Sequence, residues 1–141
     1  MSEVHATGGC LCGGVRYEIY QRLRPIVVCH CKQCRRTSGY LLGFTGCEPE
    51  NLKFVSEDEL VWYASSKDGR RGFCHKCGSS LFWKRESGGT VDVAAGSLDE
   101  PTGLRTAEHI FTDFAGDYYE ITDGLRQHAE ERNQDEIPGP D

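Results

Sequence analysis

Residues 29–34 read Cys29-His30-Cys31-Lys32-Gln33-Cys34, three thiols within six positions and too crowded to serve packing alone. The remaining cysteines extend the pattern: Cys10 and Cys12 in "CLC", Cys74 and Cys77 in "CHKC", and Cys47 by itself. Two short pairs brought together supply four sulfurs, a full tetrahedral shell for zinc. Each short loop lets two thiolates converge on one ion, and Gly78, just after Cys77, permits a tight turn before a strand. Cys10, Cys12, Cys74 and Cys77 therefore read as one closed structural site that ties the N-terminal region to the middle of the chain. A clip across so long a loop would contribute much of the folding free energy.

The triplet Cys29, Cys31 and Cys34 is left with three sulfurs. Structural zinc sites are closed by four protein ligands, whereas catalytic ones keep a position open. From spacing alone, the triplet reads as an open site, as one closed by Cys47, His30 or His109, or as a set without metal. Other chemistries fit less well. A disulfide framework belongs to exported proteins, and "MSEVHATGG" lacks the basic start and apolar stretch of a secretion signal. An iron–sulfur cluster takes four thiolates, but the split spacing is closer to a zinc knuckle. A bare redox dithiol belongs in a βαβ context, which the pattern here does not suggest.

Composition narrows the class. The 141 residues suit one domain, expected over residues 1–128. The 17 glycines exceed the usual ~7% share and indicate many turns. No apolar run approaches the ~20 residues that span a membrane, so no membrane partner is expected. A cytoplasmic location is expected. The net charge of −6 is concentrated after His128, where Glu130, Glu131, Asp135, Glu136 and Asp141 face a single base, Arg132. Without that stretch, 17 acidic residues stand against 15 basic ones. Such a balance offers no footprint for phosphates, and nucleic acid is not an expected partner. Residues 129–141 read as an acidic, disordered tail.

Period-2 alternation in "VRYEI" sets Val15, Tyr17 and Ile19 on one face of a half-buried strand. Short β-type runs follow at "PIVVC", "YLLGF", "LKFV", "LVWY", "SLFW", "TVDVAA" and "HIFTDF", each near Gly, Pro, Ser or Asp. The pattern predicts an all-β fold of short antiparallel sheets. It predicts one short C-terminal helix over "DYYEITDGLRQHAEER", with Asp117 and Glu120 as a capping box, although Gly124 costs that helix about 1 kcal/mol.

The pieces "GGCLCGGVRYEI", "CHCKQCRRTSG", "YASS", "RGFCHKCGSSLFW", "VAAGSLDEP" and "HIF", in this order, resemble the glutathione-dependent formaldehyde-activating enzyme family of the Mss4-like zinc fold. The resemblance implies a β-tent of sheets with zinc-binding knuckles at its edges and two zinc ions. Cys10, Cys12, Cys74 and Cys77 would hold the structural ion, and Cys29, Cys31 and Cys34 the catalytic one. The implied activity is that of a carbon–sulfur lyase, adding glutathione to formaldehyde to give S-(hydroxymethyl)glutathione. Tyr40 stands where a small residue is more usual, and Cys47 lies outside the family's ligand set. A non-enzymatic zinc interaction module, or the same chemistry on another thiol and carbonyl pair, are the alternatives. The oligomeric state is not set by the sequence.

Elementary chemistry also favours a thiol partner. Zinc with three thiolates carries a formal charge of −1, which blunts its acidity toward water and suits an incoming sulfur. Glutathione brings carboxylates, and Arg35, Arg36 and Arg71, together with Lys32, are cations close to the cysteine motifs. They read either as substrate-binding contacts or as charges offsetting the thiolates. Ser38 and Ser79 are possible donors to sulfur, while Phe73, Phe82, Trp62 and Trp83 read as core.

Overall fold

A computed structural model describes residues 3–131. The alternation of Val15, Tyr17 and Ile19 is realised in β2 (Arg16–Ile19), whose inward side chains are buried completely or nearly so. This strand lies between β1 (Ala6–Gly9) and β5 (Leu52–Ser56) in a three-stranded antiparallel sheet.

The second sheet has eight strands. Its centre is formed by β3 (Ile26–Cys29), β4 (Leu42–Cys47), β9 (Val91–Ala94) and β8 (Ser80–Arg85), paired antiparallel in that order. Beyond β8 come β7 (Gly69–Cys74) and the edge strand β6 (Leu60–Ala64). On the other side, β10 (Thr106–Ile110) runs parallel to β3, and β11 (Arg126–Gln127) runs parallel to β10. The sheets are thus mainly antiparallel, with parallel pairing confined to one edge.

Tyr17, Ile19, Leu81, Phe82, Val91, Val93 and Leu98 fill the space between the sheets. The Tyr17 hydroxyl reaches the Ser97 hydroxyl at 2.6 Å. Residues 97–99 fasten the sheets together, since Gly8 bridges to Leu98 and the Asp99 N–H donates to the Thr7 carbonyl. Burying a polar tip with its partner retains the apolar gain of the ring without an orphaned hydroxyl.

An all-β architecture with one short helix is therefore borne out, but the helix lies elsewhere. Among the described residues the only α-helix is α1 (Lys32–Ser38), inside the cysteine triplet's own segment. Among the described residues the helix expected from Asp117 onward does not form. Gly124 takes a left-handed φ of 76°, and Asp123 Oδ1 accepts the Leu125 N–H at 3.0 Å, so the chain turns there. The segment then pairs as β11 with Glu108 and His109. Tyr118 and Tyr119 pack against Tyr40, and Tyr119 also stacks on His30. These long-range contacts outweigh a weak local helical pattern.

Of the acidic tail, Ala129–Glu131 is described and hydrogen-bonded. The Ala129 and Glu130 carbonyls accept the N–H groups of Asp113 and Phe111. The rest of the tail lies outside the described residues. Among the described residues, no helix is long and apolar enough to cross a membrane.

Candidate metal centre

The two cysteine sets assemble into two separate clusters, and within each every sulfur lies within 4.8 Å of the others. In the first, "CLC" ends β1 and "CHKC" ends β7, strands brought near each other by the packed sheets. The Cys12 Sγ lies 3.6 Å from both Cys10 Sγ and Cys74 Sγ. Four thiolates at about 2.3 Å from one zinc would stand about 3.8 Å apart, whereas a disulfide closes to about 2.05 Å. The donor set therefore fits a soft divalent cation.

Backbone geometry supports the first cluster. The Val15 N–H donates to Cys10 Sγ at 3.2 Å, and the Gly78 N–H to the Cys74 carbonyl at 2.8 Å. Gly78 has a φ of 79°, which admits the tight turn anticipated after Cys77. The Leu11 N–H donates to Ser79 Oγ, joining the two knuckles directly. The Ser79 hydroxyl, 3.2 Å from Cys77 Sγ, is the first cause of a thiol pKa lowered to about 5.

In the second cluster, Cys29 ends β3 and Cys31 caps α1, its sulfur accepting the Cys34 N–H at 3.3 Å. Capping explains why a seven-residue helix with a single buried residue, Cys34, forms here at all. Among the described residues, no fourth His, Cys, Asp or Glu joins this cluster. The interaction with Cys31 drives the Cys29 thiol far upward, while the Cys29 and Cys34 thiols hold Cys31 low. The three sulfurs thus oppose one another's ionisation. Ionising all three calls for a cation.

His30 and His109 do not approach the sulfurs with a ring nitrogen. His30 is fully buried and uses Nδ1 toward the Tyr119 hydroxyl and Nε2 toward His109 Nδ1. His109 Nε2 meets Asp123 Oδ2 at 2.8 Å. Burial, followed by the charge of His109, lowers the His30 pKa, and the relay fixes both rings behind the cysteine loop. His75, between Cys74 and Cys77 of the first cluster, pairs with Glu59.

The clusters differ in what lies beside them. Cys29, Cys31 and Cys34 stand on the wall of a cavity of about 540 Å³, while no sulfur of the first cluster lines it. Phe44, Trp83, Ile110 and Phe111 provide its apolar surface, and Arg24, Arg71 and Arg85 bring cations.

A family model described as glutathione-dependent formaldehyde-activating enzyme matches residues 5–114. The chain belongs to the glutathione-dependent formaldehyde-activating enzyme family. An uncharacterized lyase of Schizosaccharomyces pombe is 32% identical over 83 residues, covering 57% of this chain. The match spans 58% of that relative's length. A crystal structure of a Rhodobacter sphaeroides protein shares the fold, with a TM-score of 0.53 at 24% identity over 67% of this chain and 88% of that one.

Within this family member, the three arginines singled out from sequence are placed differently. Arg71, on β7, lines the cavity and is only 9% exposed; its Nη2 donates to Cys34 Sγ at 3.6 Å and its Nε to Gln33 Oε1 at 3.3 Å. Arg35 and Arg36 lie on α1 and are not among the lining residues. Cys47 lines the cavity as a buried thiol whose pKa burial pushes up to about 12. Trp83, read as core, is a half-buried wall residue. Arg24, Arg85 and Glu131 escaped the sequence reading. Arg24 lies five positions before Cys29 and Arg85 eight after Cys77, but neither sits inside a cysteine motif, and only the strand order β3-β4-β9-β8 and the return of the C-terminal segment that carries Glu131 gather them at the cavity.

Proposed function

We propose that this protein is a zinc-dependent carbon–sulfur lyase that joins a thiol, glutathione, to formaldehyde or a similar small aldehyde. The observation that carries the reading is the asymmetry of the clusters. Four sulfurs close one site away from the cavity, and three sulfurs with no fourth protein donor among the described residues face into it. Family membership supports the reaction class.

Cys10, Cys12, Cys74 and Cys77 would hold the structural ion, and Cys29, Cys31 and Cys34 the catalytic one. When bound at the triplet, zinc would supply a soft Lewis acid with a position available to sulfur. The chain's own groups account for the rest. Arg71, held by Gln33, places a fixed positive charge beside Cys34 and offsets the anionic sulfurs. Trp83, Phe44 and Phe111 exclude water from the adjoining wall, which strengthens each charge interaction inside. The reaction balances with two reactants: the thiol sulfur bonds to the carbonyl carbon, the C=O π pair moves to oxygen, and that oxygen takes the proton the thiol gave up. No other co-reactant is required.

The test is the rate at which glutathione and formaldehyde exchange with S-(hydroxymethyl)glutathione, followed by exchange NMR with metal-loaded protein. Acceleration above the spontaneous rate, lost in Cys31→Ser, is expected. A rate equal to the uncatalysed background would end the proposal.

A further inference from the structure

Arg71, Trp83 and Arg85 form one row along the cavity wall. Arg71 and Trp83 are register partners across β7 and β8, and Arg85 lies two residues beyond Trp83, hence on the same face. The Arg85 guanidinium sits 5.3 Å from the centre of the Trp83 ring, and all three side chains line the cavity. The row starts at the sulfurs, where Arg71 meets Cys34. It ends at the rim, where Arg85 Nη2 meets Glu131 Oε1 at 3.1 Å.

The outer cation therefore already has a carboxylate seated on it, and that carboxylate is firmly delivered. The two residues before Glu131 are tied by their carbonyls to the N–H groups of Phe111 and Asp113, and Phe111 is itself a wall residue. The family match ends at residue 114, and Glu131 lies beyond it.

We infer that Arg85 is the seat for the remote carboxylate of the thiol substrate, and that Glu131 is an internal competitor for that seat. The inference rests on the thiol reading above and narrows the substrate class to a thiol carrying a free carboxylate about one residue away. Arg85 is the diagonal neighbour of Arg71 across β7 and β8, about 7–8 Å from the sulfur end of the row. An extended peptide covers a similar distance from a cysteine to the carboxylate of the next residue. Glutathione has such a cysteine followed by a C-terminal glycine. The Trp83 ring, between the two arginines, offers the intervening peptide a flat apolar wall.

Competition is weak enough to be overcome. The side chains of Arg85 and Glu131 are 42% and 56% exposed, which marks a pair of little intrinsic strength. A ligand held elsewhere by its sulfur presents its carboxylate to Arg85 at high effective concentration and displaces Glu131. Glu131 thus weakens carboxylate-bearing thiols and leaves esterified ones untouched.

Isothermal titration of the metal-loaded full chain tests this with glutathione and with its glycine monoethyl ester. In Glu131→Gln the Kd for glutathione falls about two- to fivefold, in keeping with an exposed ion pair, while the Kd for the ester stays where it was. Arg85→Gln weakens glutathione by about threefold or more and erases the difference between acid and ester. The double variant matches Arg85→Gln. A Glu131→Gln protein that binds glutathione less tightly would overturn the inference, because Glu131 would then be holding the ligand's ammonium. Unchanged glutathione affinity in Arg85→Gln would overturn it too, leaving the thiol reading intact. Absence of glutathione binding to every form, wild type included, would remove both.

Discussion

Replacing both N-terminal ligands, Cys10→Ser together with Cys12→Ser, cuts a link that spans 62 positions from Cys12 to Cys74. Closing a loop of that size withdraws chain entropy from the unfolded state worth about 4 kcal/mol. The matched variant, Cys31→Ser with Cys34→Ser, opens only the loop from Cys29 to Cys34, for which the same relation gives about 2 kcal/mol. Each pair exchanges one buried and one more accessible thiol, so the lost packing is comparable. Against a total stability of about 5–15 kcal/mol, the first loss removes a large share. At roughly 3 °C per kcal/mol for a chain of this length, Tm of the metal-loaded protein falls by about 12 °C in the first variant and about 6 °C in the second. Thermal unfolding followed by circular dichroism, with urea midpoints as a check, measures both. A second variant destabilised as much as the first would refute the assignment of the long-range clip to the four-sulfur cluster.

Arg71→Met leaves the Cys34 sulfur and Gln33 without their cation, and weakens metal binding at the triplet by about 10–100-fold with the four-sulfur site unchanged. Chelator competition resolving two classes of ion measures it. Tyr17→Phe deletes the 2.6 Å contact with Ser97 and destabilises the fold by about 1 kcal/mol, seen as a lower urea midpoint without a change in slope. The hydrogen bonds from Arg16, then from Thr7, hold the Asp99 carboxyl down to about 2. Its folded pKa lies below the unfolded value of ~3.9, so the stabilisation is present above that value and is lost as pH falls toward 2. The Arg16–Asp99 pair is well exposed, which limits the effect to about 1 kcal/mol or less. Asp99→Asn flattens the stability profile between pH 4 and 2, read from acid titration of the unfolding midpoint.

The strands with clear alternation or β-branched runs were legible, and so were both cysteine clusters: short spacing marks the pairs and the triplet, and counting sulfurs toward a four-ligand shell joins Cys10 and Cys12 to Cys74 and Cys77 across 62 positions. β7 was hidden by its composition: "GRRGFC" carries two arginines and two glycines, and Arg71 turns inward toward sulfur, where an apolar residue would be expected. The glycine-rich β1 offered no side-chain pattern. α1 is set by a thiol cap and not by helical periodicity, so the periodicity that was read pointed to the wrong segment. The C-terminal segment follows contacts with Tyr40, His30, Glu108 and His109, residues that lie well upstream of it in the chain. The cavity follows from strand order, which neighbouring residues do not encode.

The four-sulfur cluster has a consequence for biosynthesis. Its first two donors leave the ribosome well before its last two, the span from Cys12 to Cys74 being 62 positions. A nascent chain that has not yet exposed Cys77 carries an incomplete socket, and the ends of β1 and β7 cannot yet be fastened around an ion. Metal at hand as Cys77 emerges would therefore set how much chain closes this cluster, a question of yield that no assay of the finished protein would register.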